Sequence, residues 1–249
     1  MQQNIYDNPN FFKQYQQLRT SPFNYNQLLE QPAFKALLPN LHDLQLLDIG
    51  CGMGEFAKFC IENNARHVTA IDVSKNMLAV AKAVHAHPNI SYCLQSFEEF
   101  NAPENSFDCI TSSLALHYIE DFDAVITKIS SMLREEGIII FSIEHPIVTA
   151  RKQMDNWIFD EDGDVSHYAM DDYQAEGMRK QTWLVDGVIK YHRTLSTILN
   201  TLIAHGLTIE KIEEPIPSLE AIQALPKLKK ELRKPSFLLI RAKKKTLTV

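Results

Sequence analysis

The sequence predicts an α/β fold with a doubly wound, mostly parallel sheet. Short, near-continuous apolar stretches alternate with amphipathic helical patterns through the first half of the chain, and the first stretch ends in a glycine-rich loop. Such alternation is typical of βαβ units, in which helices cover both faces of a parallel sheet. A length of 249 residues suits a single domain of this class.

The N-terminal region is expected to be helical. Aromatic residues recur at helical spacing over residues 5–20. We interpret residues 1–38 as a helical lid over a ligand, with Tyr6, Tyr15 and Arg19 as candidate contacts. The alternative is that the aromatic face only docks on the core.

The strands and helices of the sheet region follow in a regular order. Predicted strands, all predominantly apolar, cover residues 44–49, 67–72, 90–95, 107–112, 137–143, 207–213 and 236–242. Predicted helices cover residues 24–38, 55–64, 74–87, 121–136 and 194–205. Ser74 and Asp121 are expected as N-caps, and Gly137 and Gly206 are expected to close their helices.

The regular alternation breaks after Pro146. Residues 146–192 are rich in Asp, Tyr and Trp, and loops of this length are uncommon in compact domains and often functional. Asp186-Gly187 lies between two β-prone segments and predicts a hairpin that turns at this dipeptide. We expect a substrate-side insertion, whose aromatic residues contribute to a substrate lid or to its own core. They are Trp157, Tyr168, Tyr173, Trp183 and Tyr191.

Composition and charge exclude several classes of protein. The net charge of −6 is unlike the basic footprint of a nucleic-acid binder, although the lysine-rich segment 227–245 keeps an RNA-binding alternative open. No apolar run approaches the roughly 20 residues that span a membrane, and no signal-peptide pattern is present. The four cysteines lack CxxC pairing, which suits a reducing compartment. We therefore expect a cytoplasmic protein that contacts neither nucleic acid nor membrane.

The acidic run 160–164 does not predict a metal site. Its glycine comes at position four, whereas an EF-hand loop needs glycine at position six. We interpret the run as a solvated turn and expect no bound metal.

The glycine-rich loop carries the most information about function. In Asp48-Ile49-Gly50-Cys51-Gly52-Met53-Gly54-Glu55, three of the eight glycines of the chain fall within five residues. Glycine allows positive φ and lets a ligand approach the main chain, and free N–H groups at a helix start suit a carboxylate or phosphate. The dinucleotide fingerprint G-x-G-x-x-G needs glycine where Glu55 stands, which disfavours a nicotinamide-dependent enzyme.

Asp72 ends the second predicted strand, 18 residues beyond Gly54. A carboxylate at this place can accept both hydroxyls of a ribose, in dinucleotide folds as in others. The alternative is an acid that only caps the next helix.

Five segments, in order and at the right spacing, resemble the class I S-adenosylmethionine-dependent methyltransferases, particularly the small single-domain type. They are LLDIGCGMGEF, AIDVSKNML, QSFEEF, FDCITSSLALHYIEDF and LREEGIIIFSIEHP. Later segments resemble an uncharacterised bacterial subgroup. The resemblance implies a Rossmann-like sheet with an antiparallel last strand, S-adenosyl-L-methionine as cofactor and S-adenosyl-L-homocysteine as product.

The resemblance also implies which residues contact each part of the cofactor. The methionine part is expected at Asp48 and at the backbone of Gly50, Cys51, Gly52 and Gly54. The ribose and adenine are expected at Asp72, Val73, Met77, Ser96 and Phe97, with Leu114 near the sulfonium. The family often has an acid at the position of Ser96, for which Glu98 is the substitute candidate.

Methyl transfer depends mainly on holding the nucleophile and the methyl group close and aligned. A base is needed only where the nucleophile carries a proton of high pKa. Candidates are His117, Glu144, His145 and His192. His145 is preferred because it follows the fifth strand on the ligand-binding edge, the alternative being a structural histidine. His117 and Tyr118 are expected mainly as a wall of the cofactor pocket.

The long aromatic insertion favours a small-molecule acceptor, methylated on oxygen in preference to nitrogen or carbon. Three alternatives remain: a tRNA or rRNA methyltransferase, a catalytically silent cofactor-binding protein, and the disfavoured nicotinamide enzyme. We expect a monomer or a homodimer.

Overall fold

A seven-stranded sheet forms the centre of the molecule. The computed structural model describes residues 4–154 and 156–246. In chain order, the strands of the whole molecule are β1 (Gln45–Ile49), β2 (His67–Asp72), β3 (Ile90–Leu94), β4 (Phe107–Ser113), β5 (Leu133–Glu144), β6 (Trp157–Phe159), β7 (Val165–Tyr168), β8 (Gly177–Trp183), β9 (Val185–His192), β10 (Leu207–Glu213) and β11 (Phe237–Lys244). The sheet order is β10-β11-β5-β4-β1-β2-β3, and β6 with β7 and β8 with β9 form two separate hairpins.

Strand directions within the sheet agree with the sequence. Strands β3, β2, β1, β4 and β5 are parallel to one another, while β11 is antiparallel to both β5 and β10. The predicted seven-stranded, mostly parallel sheet with an antiparallel last strand is therefore confirmed. The winding reverses between β1 and β4, and ligands bind outside the carboxyl ends of the strands at such a point.

Helices cover the two faces of this sheet. They are α1 (Pro9–Thr20), α2 (Gln31–Ala36), α3 (Glu55–Glu62), α4 (Lys75–Val84), α5 (Phe122–Met132), α6 (Pro146–Thr149), α7 (Leu195–Ala204) and α8 (Leu219–Ala224). Leu47 belongs to the core cluster that contains α5 and α7, and its neighbour Leu46 to the cluster that contains α3 and α4. Adjacent strand residues point to opposite faces, so apolar runs without alternation suit a sheet that is buried on both sides. Within the two described ranges, no helix is both long and apolar enough to cross a bilayer.

The predicted N-caps are confirmed, but the helix end predicted at Gly137 is wrong. The Ser74 hydroxyl accepts from the N–H of Met77, and Asp121 accepts from the N–H of Ala124. Helix α5 ends at Met132, because the following residue is fully buried and already pairs with β4. Gly137 does not have positive φ; its lack of a side chain matters because a Cβ would lie 2.8 Å from the Arg134 carbonyl oxygen.

The turn predicted at Asp186-Gly187 is also wrong. Strands β8 and β9 reverse at Leu184, which has a φ of 61°, and Trp183 pairs with Val185. These three residues at the tip pack against buried apolar side chains, whereas the dipeptide lies within β9. Burial of the apolar tip residues thus determines the register of the β8–β9 hairpin, although Asp186-Gly187 is the more favourable turn sequence.

The insertion contains a second hairpin that the sequence does not signal clearly. Strands β6 and β7 are joined by the acidic run 160–164, in which the Asp160 N–H donates to the Asp164 carbonyl oxygen at 2.9 Å. The interpretation of this run as an exposed turn therefore agrees with the structure.

An aromatic cluster joins the N-terminal helices to the insertion. We call it the roof cluster; it contains Ile5, Tyr6, Phe11, Tyr15, Tyr118, Trp183, Leu184, Val185 and Val188. Most of its ring pairs meet edge to face, as Tyr6 meets Tyr15 with centroids 5.1 Å apart and Phe11 meets Trp183 at 5.3 Å, while Phe11 and Tyr15 are stacked. Residues 1–3 of the predicted lid lie outside the described ranges.

Candidate functional site

A cavity of about 560 Å³ lies at the carboxyl ends of β1, β2, β4 and β5. This volume is within the usual range for small-molecule sites. Its walls come from the edge of the sheet, the N-terminal helices, the insertion and a C-terminal part that includes Lys227 and Phe237. The predicted site residues that line it are Tyr6, Tyr15, Arg19, Asp48, Gly50, Cys51, Gly52, Asp72, Val73, Met77, Phe97, Glu98, Leu114, His117 and Glu144.

The glycine-rich loop gives the cavity space rather than free donors. The N–H groups of Gly50 and Cys51 both donate to the Ile71 carbonyl oxygen, at 2.9 and 3.0 Å. The N–H of Gly52 donates to Oδ2 of Asp72 at 2.9 Å. A Cβ on Gly52 would meet nothing within 4 Å, and its φ is +54°. The expectation of free N–H groups in the loop is therefore wrong for these three residues.

The two flanking glycines are needed for packing. Both have positive φ, +72° at Gly50 and +83° at Gly54. A Cβ on Gly50 would lie 2.5 Å from Cβ of Ala115, and one on Gly54 would clash with the Tyr92 hydroxyl. Gly54 lies behind the cavity wall and does not line it.

Asp48 has a buried carboxylate with one unpaired oxygen. Its Oδ1 accepts from the Thr111 hydroxyl at 3.1 Å, while Oδ2 has no hydrogen-bond partner among the described residues. Burial raises the pKa of Asp48 to about 7. A buried polar atom without a partner is costly, so this oxygen suits a ligand that brings a donor, and a cationic donor best of all.

Arg19 reaches the same end of the cavity from α1. Its Nη2 donates to Oε2 of Glu55 at 2.7 Å. A guanidinium has five N–H donors, so an arginine held by one carboxylate retains donors for a second, such as one on a ligand.

Asp72 lies across the loop from Asp48. Its Oδ1 accepts from the N–H of Ser74 at 2.8 Å and its Oδ2 from the loop, and a carboxylate retains further lone pairs after two such bonds. The adjacent wall includes Val73, Met77 and Phe97. Ser96 does not line the cavity, and its hydroxyl instead accepts from a backbone N–H in its own turn.

Glu144 ends β5 on the opposite side of the cavity. Its Oε1 accepts from Nζ of Lys190 at 2.5 Å, and its buried Oε2 lacks a partner in the described part of the chain. Burial acts to raise the pKa of this carboxyl, but the charge and the hydrogen bond of Lys190, together with other nearby groups, outweigh burial, so the pKa lies below its usual value. Glu144 therefore stays ionised and presents one open oxygen.

His117 is the predicted histidine that the structure brings to the cavity. Its Nδ1 accepts from the N–H of Glu144 at 3.4 Å, so the ring proton of the neutral form lies on Nε2. Burial lowers its pKa to about 3. The imidazole is thus neutral at physiological pH.

His145 and His192 lie outside the cavity lining. Nδ1 of His145 accepts from the Ile147 N–H at 3.1 Å and caps α6, while Nε2 pairs with Glu214 at 2.8 Å. His192 contacts the Thr149 hydroxyl and the Tyr173 carbonyl oxygen, both at 2.9 Å. These contacts support the structural alternative for His145: the strand turns into α6 there, and the preceding residue faces the cavity.

Among the five aromatic residues expected in the insertion, Trp183 lines the cavity. Trp157 packs on Tyr168 with centroids 4.8 Å apart, and Tyr173 packs on His192 at 5.6 Å. The other rings at the cavity come from elsewhere, among them Tyr6 and Tyr118, whose hydroxyls lie 3.4 Å apart. Helical spacing predicts Tyr6 as a contact, and Tyr118 lies in the His117-Tyr118 pair that we expect to form a wall of the cofactor pocket.

Comparisons with known proteins extend this description. A family described as a methyltransferase domain matches residues 47–141. The solved structure of an S-adenosylmethionine-dependent methyltransferase from Mesorhizobium loti is 40% identical, covers 86% of this chain and 97% of its own, and superposes with a TM-score of 0.81. An uncharacterised protein of Haemophilus influenzae is 36% identical over 96% of both chains.

A more distant similarity covers well under half of the chain. A malonyl-[acyl-carrier protein] O-methyltransferase of Serratia marcescens is 36% identical over 98 residues, which are 39% of this chain and 37% of that protein. The chain thus matches little more than a third of the length of this relative.

Proposed function

Since the chain belongs to the class I S-adenosylmethionine-dependent methyltransferases, we propose that it methylates a small molecule, on oxygen in preference to nitrogen or carbon. One observation carries the proposal: a single cavity of about 560 Å³ is continuous from the glycine-rich loop to Glu144 and the roof cluster. Such a cavity suits a cofactor and a small acceptor side by side.

The residues at the loop end fit the amino-acid part of S-adenosylmethionine. The unpaired Oδ2 of Asp48 suits an ammonium group, and Arg19 suits a carboxylate. Gly52 leaves room for the chain between them because a Cβ there would fill open space. When bound, the cofactor supplies a methyl carbon activated by a positively charged sulfur.

The residues further along fit its nucleoside part. Asp72 offers carboxylate oxygens to a pair of sugar hydroxyls, as acids at this place do in related folds. Met77 and Phe97, which are 2% and 4% exposed, provide an apolar surface for a planar base. The proposed order is thus methionine part, ribose and base along the carboxyl ends of β1, β2 and β3.

The end of the cavity proposed for the acceptor supports a small-molecule substrate, because several segments of the chain enclose that end. Tyr6 comes from the N-terminal region, Tyr118 follows β4 and Trp183 comes from the insertion, and all three line the cavity. Leu114, held at a φ of 53° after β4, lies between the two sides. Enclosure excludes water and restricts the acceptor to a few orientations, which is the main requirement for methyl transfer.

The RNA alternative loses support because several of the C-terminal cations have partners within the protein. Arg233 donates to the carbonyl oxygens of Val165 and Ser166, at 2.9 and 2.7 Å. Lys234 pairs with buried Glu231 at 2.5 Å. Cations engaged in this way offer little to a phosphate backbone.

Methyl transfer from labelled S-adenosylmethionine tests the proposal directly. The purified protein is incubated either with a low-molecular-weight extract of bacterial cells or with stripped bulk tRNA and rRNA. We expect label in the small-molecule fraction, in an organic-extractable ether or ester. Label in RNA alone would overturn the proposal and restore the alternative.

A further inference from the structure

The open oxygen of Glu144 is a built feature of the cavity wall. Its side chain is 22% exposed overall, yet Oε2 itself is buried and without a hydrogen-bond partner in the described ranges. Because Glu144 lines the cavity, a donor bound there would lie beside this side chain. A ligand that donates a hydrogen bond would complete this carboxylate.

Lys190 fixes the other oxygen from behind. Its side chain is 2% exposed and does not line the cavity. Its Nζ lies 5.2 Å from the Trp183 ring centroid and 5.9 Å from that of Tyr118, so the ammonium is also held by two ring faces. The ammonium therefore pairs with Oε1 of Glu144 and does not offer a cation to an acceptor.

We propose that Glu144 binds the acceptor through Oε2, and that the acceptor is a planar molecule bearing a hydroxyl group rather than a free carboxylate. This inference rests on the proposed function, because it assigns the acceptor class of the same site. It adds a binding residue and a substrate class that the family membership does not supply.

The ring requirement follows from the surfaces around this oxygen. Tyr6, Tyr118 and Trp183 line the same cavity, and Tyr6 and Tyr118 meet edge to face with centroids 6.3 Å apart. Rings of this kind pack on planar molecules by offset stacking or by edge contacts. A saturated, flexible acceptor would use this wall less well.

The hydroxyl requirement follows from the proton balance. As the bond between the acceptor oxygen and the methyl carbon forms, the bond between that carbon and sulfur breaks, and the hydroxyl proton passes to Glu144. An ether oxygen that still carries its proton is a far stronger acid than a carboxylic acid, so a carboxylate accepts the proton late in the transfer even when its own pKa is low. An ionised Glu144 is therefore sufficient.

A carboxylate acceptor is disfavoured at this position. Its oxygens would meet the open oxygen of Glu144 with like charge and without a proton to share, and like charges at contact distance in a buried site are strongly repulsive. Lys35 and Lys227 also line the cavity, but their ammonium groups lie over the rings of Phe59 and Tyr25, at 4.3 and 5.3 Å, on the side of α2. They do not offset the charge that Glu144 presents.

Binding of three matched probes tests the inference without relying on turnover. Naphthol, methoxynaphthalene and naphthoate, with the substituent at one ring position, are titrated calorimetrically into the complex with S-adenosylhomocysteine. We expect naphthol to bind about 10-fold or more tightly than naphthoate, the size expected of a hydrogen bond to a charged group. Methoxynaphthalene, which cannot donate, should fall well below naphthol.

Variants separate the role of Glu144 from a general loss of structure. Glu144→Gln should abolish the preference for naphthol over naphthoate while S-adenosylhomocysteine binding persists. Glu144→Gln combined with Lys190→Met removes both charges and should give the same result if the single variant folds poorly. Glu214→Gln, a carboxylate-to-amide change outside the cavity lining, is the matched control and should keep the preference.

The outcomes are distinguishable. If the wild type does not bind S-adenosylhomocysteine, the proposed function fails and takes the inference with it. If S-adenosylhomocysteine binds but naphthol shows no advantage over naphthoate, or if Glu144→Gln retains that advantage, the inference alone is overturned.

Discussion

Nζ of Lys190 lies 2.5 Å from Oε1 of Glu144, joining the insertion to the end of β5. The two residues are 46 positions apart in the chain. Burying either charge without the other would be strongly destabilising. The pair therefore fixes how the insertion sits on the sheet. It also leaves Oε2 of Glu144 without a hydrogen-bond partner among the described residues.

The first prediction concerns the open loop position, Gly52. Gly52→Val should abolish S-adenosylhomocysteine binding in calorimetry, because the new side chain would enter space proposed for the methionine part. Gly206→Val is the matched control: it also has positive φ and no atom within 4 Å of a Cβ, but it lies outside the cavity lining. Both variants should lose about 1–3 kcal/mol of stability through backbone strain. Equal binding by both would contradict the assignment.

The second prediction concerns the charge of Asp48. Because burial raises its pKa to about 7, S-adenosylhomocysteine affinity should weaken as the pH falls from 8 to 6, when the carboxylate that attracts the ammonium group becomes protonated. Asp48→Asn should bind weakly with a flatter pH profile. Asp72, whose pKa burial also raises, titrates in the same direction, so the informative quantity is the difference between wild type and variant. Identical profiles would exclude Asp48 from the ammonium site.

The same residue predicts a gain of stability for the ligand-free protein. The folded pKa of about 7 lies above the unfolded value, so the folded state binds the proton more tightly and stability falls as pH rises between about 4 and 7. At pH 8, Asp48→Asn should therefore unfold at higher urea, with a gain on the order of 2–4 kcal/mol. If Asp48→Asn were instead less stable than the wild type at pH 8, the ionised carboxylate of Asp48 would be stabilised by more interactions than the described contacts.

The sequence predicted the cofactor side of the site better than the acceptor side, for a physical reason. Asp48 and Gly52 lie in one continuous segment, so their spacing alone places them at one end of β1. Glu144 and His145 are neighbours, and the choice between them depends on where β5 ends and which way its last side chain points. The partner Lys190 comes from a distant hairpin whose turn at Leu184 is set by packing.

The third prediction separates the sugar contact of Asp72 from its contacts to the loop. Asp72→Ala should weaken S-adenosylhomocysteine binding, since it removes a sugar acceptor and also frees the N–H groups of Gly52 and Ser74. A deoxy analogue of S-adenosylhomocysteine, which lacks one of the two ribose hydroxyls, isolates the loss of the sugar contact from the loss of the loop contacts. In the wild type, the deoxy ligand should bind about 10-fold more weakly than S-adenosylhomocysteine. In Asp72→Ala, the two ligands should bind with equal affinity. Equal losses in both proteins would place the ribose elsewhere.

The fourth prediction assigns His145 to structure. His145→Ala should leave S-adenosylhomocysteine affinity and methyl transfer to the labelled fraction unchanged, because both ring nitrogens contact protein atoms outside the cavity. It should cost about 1 kcal/mol of stability through loss of the cap on α6. His117→Ala, which alters the cavity wall, should reduce transfer. A slower His145→Ala enzyme with unchanged cofactor affinity would return His145 to the catalytic candidates.

The last prediction concerns the energetics of the Lys190–Glu144 pair. Lys190→Met leaves an ionised carboxylate buried without its partner and should cost about 3–5 kcal/mol in urea unfolding, whereas adding Glu144→Gln should recover most of that loss.

The pH dependence of stability that Glu144 contributes should also change sign in Lys190→Met. In the wild type the lowered pKa of Glu144 contributes stability that is complete above the unfolded value of about 4.3 and is lost as the pH falls further. In Lys190→Met the main opposition to burial is gone, so burial should raise that pKa and stability should increase as the pH falls from 7 towards 5. If the double variant were no more stable than Lys190→Met, the 2.5 Å contact would not be the reason that Lys190 is buried.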